Sequence, residues 1–315
     1  MSKIYNYFAL LLIAIIGGIF TSCNKAEENF ITEASASNDN VLTTRAATNI
    51  KNVVYIEVND INPLNAGSYK YSDDNTYFYD YVILFAANIR GNCNSANLYF
   101  NPNVAAILAD PDKYIRPLQA KGIKVLLGVL GDHTGVGFAN LKSNMITNFA
   151  TAIANALTTY GLDGVDFDDE YAKYGTLGCF PPLPSPSAAN YLAMVNAVNG
   201  LIGDKLLTVY NIGYSNFSSY ADVDYMWNPW YGSYGSTPAG LGNAKWAAQA
   251  IDMKSPGYNV ESYATNSRTD GMGAILCYDL RNTDMSATMT QIARGATGNP
   301  NVSVYHDGNF YSKDY

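Results

Sequence analysis

"YGLDGVDFDDEY", residues 160–171, places five acidic residues within eight positions of a chain that is only 15% charged. Asp163, Asp166, Asp168, Asp169 and Glu170 repel one another, yet Leu162, Val165 and Phe167 stand among them. On a β-strand side chains alternate between faces, so Gly164, Asp166, Asp168 and Glu170 share one face and Val165 and Phe167 the other. The apolar face suits packing under helices. The acidic face suits the inside of a barrel, with carboxyl groups about 7 Å apart climbing toward the C-terminal rim, where barrel active sites lie. Gly164 leaves room beneath them. Neighbouring carboxylates in a confined site raise one another's pKa, which keeps an acid protonated for donation to a leaving oxygen. Asp163 and Asp169 have the other parity: Asp163 is expected to cap or pin the strand, and Asp169 reaches the rim only if the strand ends before it. A solvated acidic turn is opposed by Val165 and Phe167. A divalent-cation site is opposed by the lack of EF-hand spacing and of any histidine in the row, so no metal or other cofactor is expected.

Outward from this stretch, apolar strand-like runs recur at 52–58, 80–87, 123–130, 205–212, 222–227 and 273–280, with a weaker one, "WAAQAIDM", at 246–253. Their continuous hydrophobicity suits parallel strands covered on both faces. Between them, 143–161 reads as a helix: Ser143 is placed to cap it, Met145, Phe149, Ile153 and Leu157 recur every four residues, and Gly161 stops it. Residues 189–203 repeat the pattern, with Leu192, Val195 and Ile202 on one stripe. Eight strands within 50–315 predict an α/β fold, a single-domain (β/α)₈ TIM barrel with irregular outer helices. The rival open sheet loses support because no G-x-G-x-x-G follows the first strand.

The N-terminus reads as an exported leader. Lys3 precedes the apolar run "FALLLIAIIGGIF" (8–20), too short to span a bilayer, and "FTSC" follows. Small residues before Cys23 resemble a bacterial lipobox, so 1–22 is expected to be a lipoprotein signal peptide and Cys23 the lipid-attachment site. Polar, aperiodic 23–49 is then a flexible linker. The expected location is the outer membrane or cell surface, with the membrane reached through the anchor alone. Cys93 and Cys179 both fall in loops, where a bridge between them is open in an exported protein; Cys277, inside an apolar run, reads as a buried thiol. A net charge of −8 without a Lys/Arg cluster excludes nucleic acid as a partner. The 26 tyrosines suit sugar faces but also ordinary cores.

"DGVDFDDE" (163–170) fits D-G-x-D-x-D-x-E, the signature of glycoside hydrolase family 18. "YVILFAANI", "YIRPLQAKGIKVLLGVLGDHTGVGFAN", "VYNIG" and "WNPWYG" look like successive segments of its endo-β-N-acetylglucosaminidase branch, in the same order from 50 to about 282. The resemblance implies hydrolysis of the chitobiose core of N-linked glycans, of high-mannose type, by a retaining mechanism assisted by the substrate's own acetamido group. It implies Glu170 as acid and base, Asp168 as orienter of the acetamido N–H, and Asp166 holding or sharing a proton with Asp168. In "WNPWYG" it implies that Asn228 and Tyr231 hold the acetamido carbonyl, with Trp230 or Trp227 stacking on a sugar. Tyr278, Phe85, Asn88 and His133 are further substrate-binding candidates; His306 lies beyond the matched region. N-glycans are the expected partner, met by a monomer. Similarity fades after Tyr231, and the proline-rich insert 176–187 shapes the rim, leaving glycan selectivity open. A chitinase and a non-catalytic glycan-binding lipoprotein are the alternatives; the intact acidic ladder argues against the second.

Overall fold

The computed structural model describes residues 48–315; the expected leader, the Cys23 anchor and the linker up to residue 47 lie outside the described residues. In chain order the strands are β1 (Lys51–Glu57), β2 (Tyr69–Tyr71), β3 (Tyr81–Asn92), β4 (Ser95–Tyr99), β5 (Lys124–Gly131), β6 (Gly164–Asp168) and β7 (Leu206–Tyr210). They continue with β8 (Tyr225–Trp227), β9 (Ser233–Tyr234), β10 (Trp246–Ala247), β11 (Gln249–Asp252), β12 (Ala274–Tyr278) and β13 (Val304–His306). The helices are α1 (Pro102–Ala109), α2 (Pro111–Tyr114), α3 (Arg116–Gln119), α4 (Ser143–Tyr160), α5 (Ala188–Ile202), α6 (Val260–Thr269) and α7 (Ser286–Thr297).

Parallel pairing runs from β1 through β3, β5, β6, β7 and β8 to β10, and from β1 the other way through β12 to β11. Only Ala248 separates β10 from β11, so the stretch 246–252 joins β8 at its start and β12 at its end. This is the weak seventh run of the sequence, and it closes the ring: eight staves, as the (β/α)₈ reading requires. Its broken pairing explains its faint pattern.

Side-chain parity divides the core in two. Val53, Tyr55, Ile83, Leu126, Trp227 and Leu276 fill the interior of the ring, while Val54, Ile56, Val165 and Phe167 pack outward with the helices. α4 buries Met145, Phe149, Ile153 and Leu157 and ends at Gly161 in the left-handed conformation (φ 61°), which glycine adopts without a Cβ clash. Ser143 is not its cap: Lys142 holds that place without a side-chain bond. Ser187 caps α5, accepting from Asn190 N at 3.2 Å. The outer ring is incomplete, since among the described residues no α-helix links β1 to β3, β7 to β8 or β8 to β10. Residues 211–224, "NIGYSNFSSYADVD", lack the 3.6-residue apolar period that a crossover helix needs.

Cys93 and Cys179 are bridged, with their Cα atoms 5.3 Å apart, which ties the β3–β4 hairpin to the loop after β6. Cys277 is buried in β12, and burial pushes its thiol up to about 12. Among the described residues no helix is long and apolar enough to cross a membrane.

Candidate active site

β6 delivers the acidic row as its parity requires. Gly164, Asp166 and Asp168 face the interior, and the strand ends at Asp168. Gly164 serves close approach rather than open space: a Cβ there would stand 2.3 Å from the carbonyl oxygen of Leu206 on β7. Asp163, just before the strand, accepts from Val125 N at 2.8 Å and Gln119 Nε2 at 2.7 Å, pinning β6 to β5 and α3.

Asp166 is wholly buried. It accepts from Tyr55 Oη (2.6 Å, β1), Thr208 Oγ1 (2.5 Å, β7) and Trp227 Nε1 (2.7 Å, end of β8). Burial raises its pKa, and these three donors pull it back toward the ionised form. No hydrogen bond joins it to Asp168 among the described residues; its three donors make it a hub linking four strands. Trp227, spent on that hub and buried, has no face for a sugar.

Asp168 is buried one layer higher and accepts the backbone N–H of Glu170 at 3.1 Å. Burial, then the charges of Glu170 and Asp166, hold its carboxyl well above the usual range. Glu170 is half-buried, and burial raises its pKa too. Both carboxyls line a cavity of ≈ 460 Å³ at the C-terminal end of the barrel, within the size range of small-ligand sites.

Of the other candidates, the cavity gathers Tyr231, Tyr278 and Phe85. Tyr231 is stacked between Tyr210 and Tyr278, with ring centroids 6.5 and 5.2 Å away, so its phenol is held in one orientation. The rest do not line it. Asn228 is buried, its amide donating to Ser233 Oγ (3.0 Å) and Ala248 O (2.8 Å); it shapes the loop that presents Tyr231. Trp230 projects into solvent on that loop, 69% exposed. Asn88 is paired in register with Tyr99 and Leu130. His133 donates its backbone N–H to Tyr171 O at 2.7 Å and sets its ring 5.5 Å from that tyrosine, so it supports a lining residue.

The cavity also holds Tyr55, Glu57, Leu130, Tyr171, Tyr210 and Pro229, none of them singled out from the sequence. Parity on β1, where Val53, Tyr55 and Glu57 alternate with apolar Val54 and Ile56, carried the signal for two of these. Asp169 was undervalued as well. It is buried beside the rim, where it accepts from Tyr174 Oη and, at 3.1 Å, from Tyr214 N. Tyr174 Oη in turn accepts from Ala139 N at 3.0 Å, so one carboxylate clamps the loops after β5, β6 and β7 around Glu170. Burial pushes Asp169 up to about 6. Among the described residues no cluster of His, Cys, Asp and Glu is arranged to hold a metal ion.

The arrangement offers a raised acid at the rim, a buried carboxyl beneath it and a fixed phenol in the same cavity. No protein-family model matches the chain. It is 39% identical over 265 residues to an endo-β-N-acetylglucosaminidase of Flavobacterium sp. (strain SK1022), covering 81% of this chain and 82% of the relative. It is 34% identical over 310 residues to endo-β-N-acetylglucosaminidase F1 of Elizabethkingia meningoseptica, covering 88% of each. Among solved structures it is similar to EndoBT-3987 of Bacteroides thetaiotamicron. With a Man9GlcNAc2Asn substrate that protein is 26% identical, at a TM-score of 0.75 over 84% of this chain and 69% of the other. With a Man5GlcNAc product the identity is 27% and the TM-score 0.74, and this chain spans 64% of that structure, under two thirds.

Proposed function

This chain belongs to the endo-β-N-acetylglucosaminidases of glycoside hydrolase family 18, and from that premise we propose that it cuts the GlcNAc-β-1,4-GlcNAc core of N-linked glycans, of high-mannose type. The observation that carries the reading is the shared cavity of Asp168, Glu170 and Tyr231. The acetamido oxygen of the sugar on the non-reducing side attacks its own anomeric carbon while Glu170 gives its proton to the departing glycosidic oxygen. Glu170 then takes a proton from the water that opens the oxazolinium ring, restoring the original anomeric configuration. Asp168 accepts the acetamido N–H and offsets the positive charge that develops. Tyr231 donates its phenol to the acetamido carbonyl, holding it in line for attack. Asp166 touches no substrate and keeps the floor of the site rigid.

Incubation with a high-mannose glycoprotein, a complex-type glycoprotein and chitin oligomers, followed by mass analysis, tests this. A single HexNAc left on the high-mannose protein is expected. Cleavage of chitin oligomers alone would move the assignment to a chitinase. We further propose that the protein is exported and lipid-anchored through Cys23, on the strength of the "FTSC" stretch. Incorporation of labelled palmitate, lost in Cys23→Ala, checks the anchor.

A further inference from the structure

One carboxyl in the cavity has no part in this chemistry. Glu57 is the last residue of β1 and the third inward position after Val53 and Tyr55. It pairs in register with Phe85, and like Phe85 and Tyr278 it lines the cavity. Among the described residues no cation pairs with it; Asn59 alone hydrogen-bonds its carboxylate, through its backbone N–H and through Nδ2, the latter to Oε1 at 2.9 Å. Burial, then the charges of Asp60 and Asp279, hold the group above the usual carboxyl range. A half-buried carboxylate with spare lone pairs and no counter-charge has little structural purpose. It is well suited to accept hydrogen bonds from hydroxyl groups that enter the cavity.

The strand order says which hydroxyl. Around the ring the staves run β1, β3, β5, β6, β7, β8, the 246–252 stave and β12, so β1 stands diametrically across from β7. The wall of β6, β7 and the loop after β8 carries Asp168 and Tyr231, which on the function proposed above receive the 2-acetamido group, with Tyr210 between them. In a pyranose ring C2 and C5 lie at opposite corners. A sugar whose C2 substituent enters the β6–β8 wall therefore turns C5 and its hydroxymethyl group toward β1. We infer that Glu57 is a specificity-determining residue that accepts a hydrogen bond from the 6-hydroxyl of the reacting N-acetylglucosamine and rejects that sugar when O6 carries an anionic group.

The inference rests on the endoglycosidase reading and is separable from it. Three synthetic glycans differing only at C6 of the reacting sugar (hydroxyl, deoxy and sulfate) are compared with the full chain and with Glu57→Ala and Glu57→Gln. The native protein is expected to lose roughly 10- to 100-fold in kcat/KM from hydroxyl to deoxy, the effect of one hydrogen bond to a charged group. It should lose more from deoxy to sulfate, because two like charges then face each other. Glu57→Ala should lose a similar factor on the hydroxyl substrate and treat hydroxyl and deoxy alike within about twofold. Glu57→Gln, nearly the same shape, should shrink the sulfate penalty by roughly tenfold or more and decides the matter if the alanine variant fails to fold. Unchanged hydroxyl-to-deoxy and hydroxyl-to-sulfate ratios in the variants, with the native protein active, would overturn the role of Glu57 alone. A native protein that cuts none of the three would overturn the function and this inference together.

Discussion

Removing one oxygen atom, in Tyr55→Phe, measures how far the site depends on the hub at Asp166. The phenol donates to Oδ2 of a fully buried carboxylate at 2.6 Å, and Thr208 and Trp227 serve Oδ1. Tyr55 is the sole donor to its oxygen among the described residues, so its loss leaves that oxygen buried without a partner. A hydrogen bond to a charged group contributes about 1.5–3 kcal/mol. In a domain of this size such a loss lowers Tm by roughly 2–4 °C per kcal/mol. The phenol stabilises the ionised form, so the sign of the pH effect follows. The deficit should be largest at high pH, where the carboxylate is the acceptor, and shrink on acidification as Asp166 protonates and the lost donor matters less. Urea unfolding of the two proteins at pH 8 and pH 5 reads this directly. A deficit below about 0.5 kcal/mol at pH 8, or one that grows on acidification, would refute the hub, because one missing charged hydrogen bond cannot be that cheap and its worth falls as the carboxylate protonates.

Glu170→Gln should keep binding a high-mannose glycopeptide while kcat falls by about 10²–10⁴-fold, the usual contribution of a general acid–base; single-turnover kinetics beside calorimetric binding separate the two. Tyr231→Phe should lower kcat by about 10²-fold with little change in KM, since its phenol acts on the attacking acetamido group in the transition state. For Asp169, the folded-state pKa of about 6 stands above the ordinary 3.8, so the folded protein binds the proton more tightly. Stability should fall by about 3 kcal/mol as pH rises from 4 through 6 and then level off, and Asp169→Asn should flatten that slope in urea titrations. Opening the disulfide, in a Cys93→Ser, Cys179→Ser double variant, releases a loop spanning 86 residues. Chain entropy puts the cost at about 4–5 kcal/mol, measurable by urea unfolding.

Parity is what made the sequence legible. β6 could be read residue by residue because its two faces differ chemically, whereas β1 reads from the sequence only as a continuous apolar run, with no acidic row to mark Tyr55 and Glu57 as its inward positions. The 246–252 stave was faint because it pairs with two different strands on either side of Ala248, so neither half shows a full strand's pattern. Asn228 and Trp230 sit within the most suggestive segment, yet loop geometry turns one into the protein and the other into solvent, and no periodicity rule reaches that far. Asp169 illustrates a different limit. Its partners Tyr174 and Tyr214 are separated from it by a turn and by a whole strand–helix unit, and only folding brings the three together.

The five acids of 163–170 thus resolve their mutual repulsion by facing different partners. Asp163 spends its charge on a backbone N–H and an amide at the foot of the strand. Asp166 meets three donors from three other strands, and Asp169 turns outward to a phenol and a backbone N–H of the rim. Each of these fields is answered locally, so none needs a cation, and the barrel wall can hold dense like charge. Asp168 and Glu170 are left as the pair whose charge is answered least: one backbone N–H for Asp168, and burial pressing both toward the protonated form. An acid poised to give a proton requires that deficit. Supplying a lysine near the pair would therefore ionise Glu170 and weaken the enzyme, even though it would relieve the repulsion.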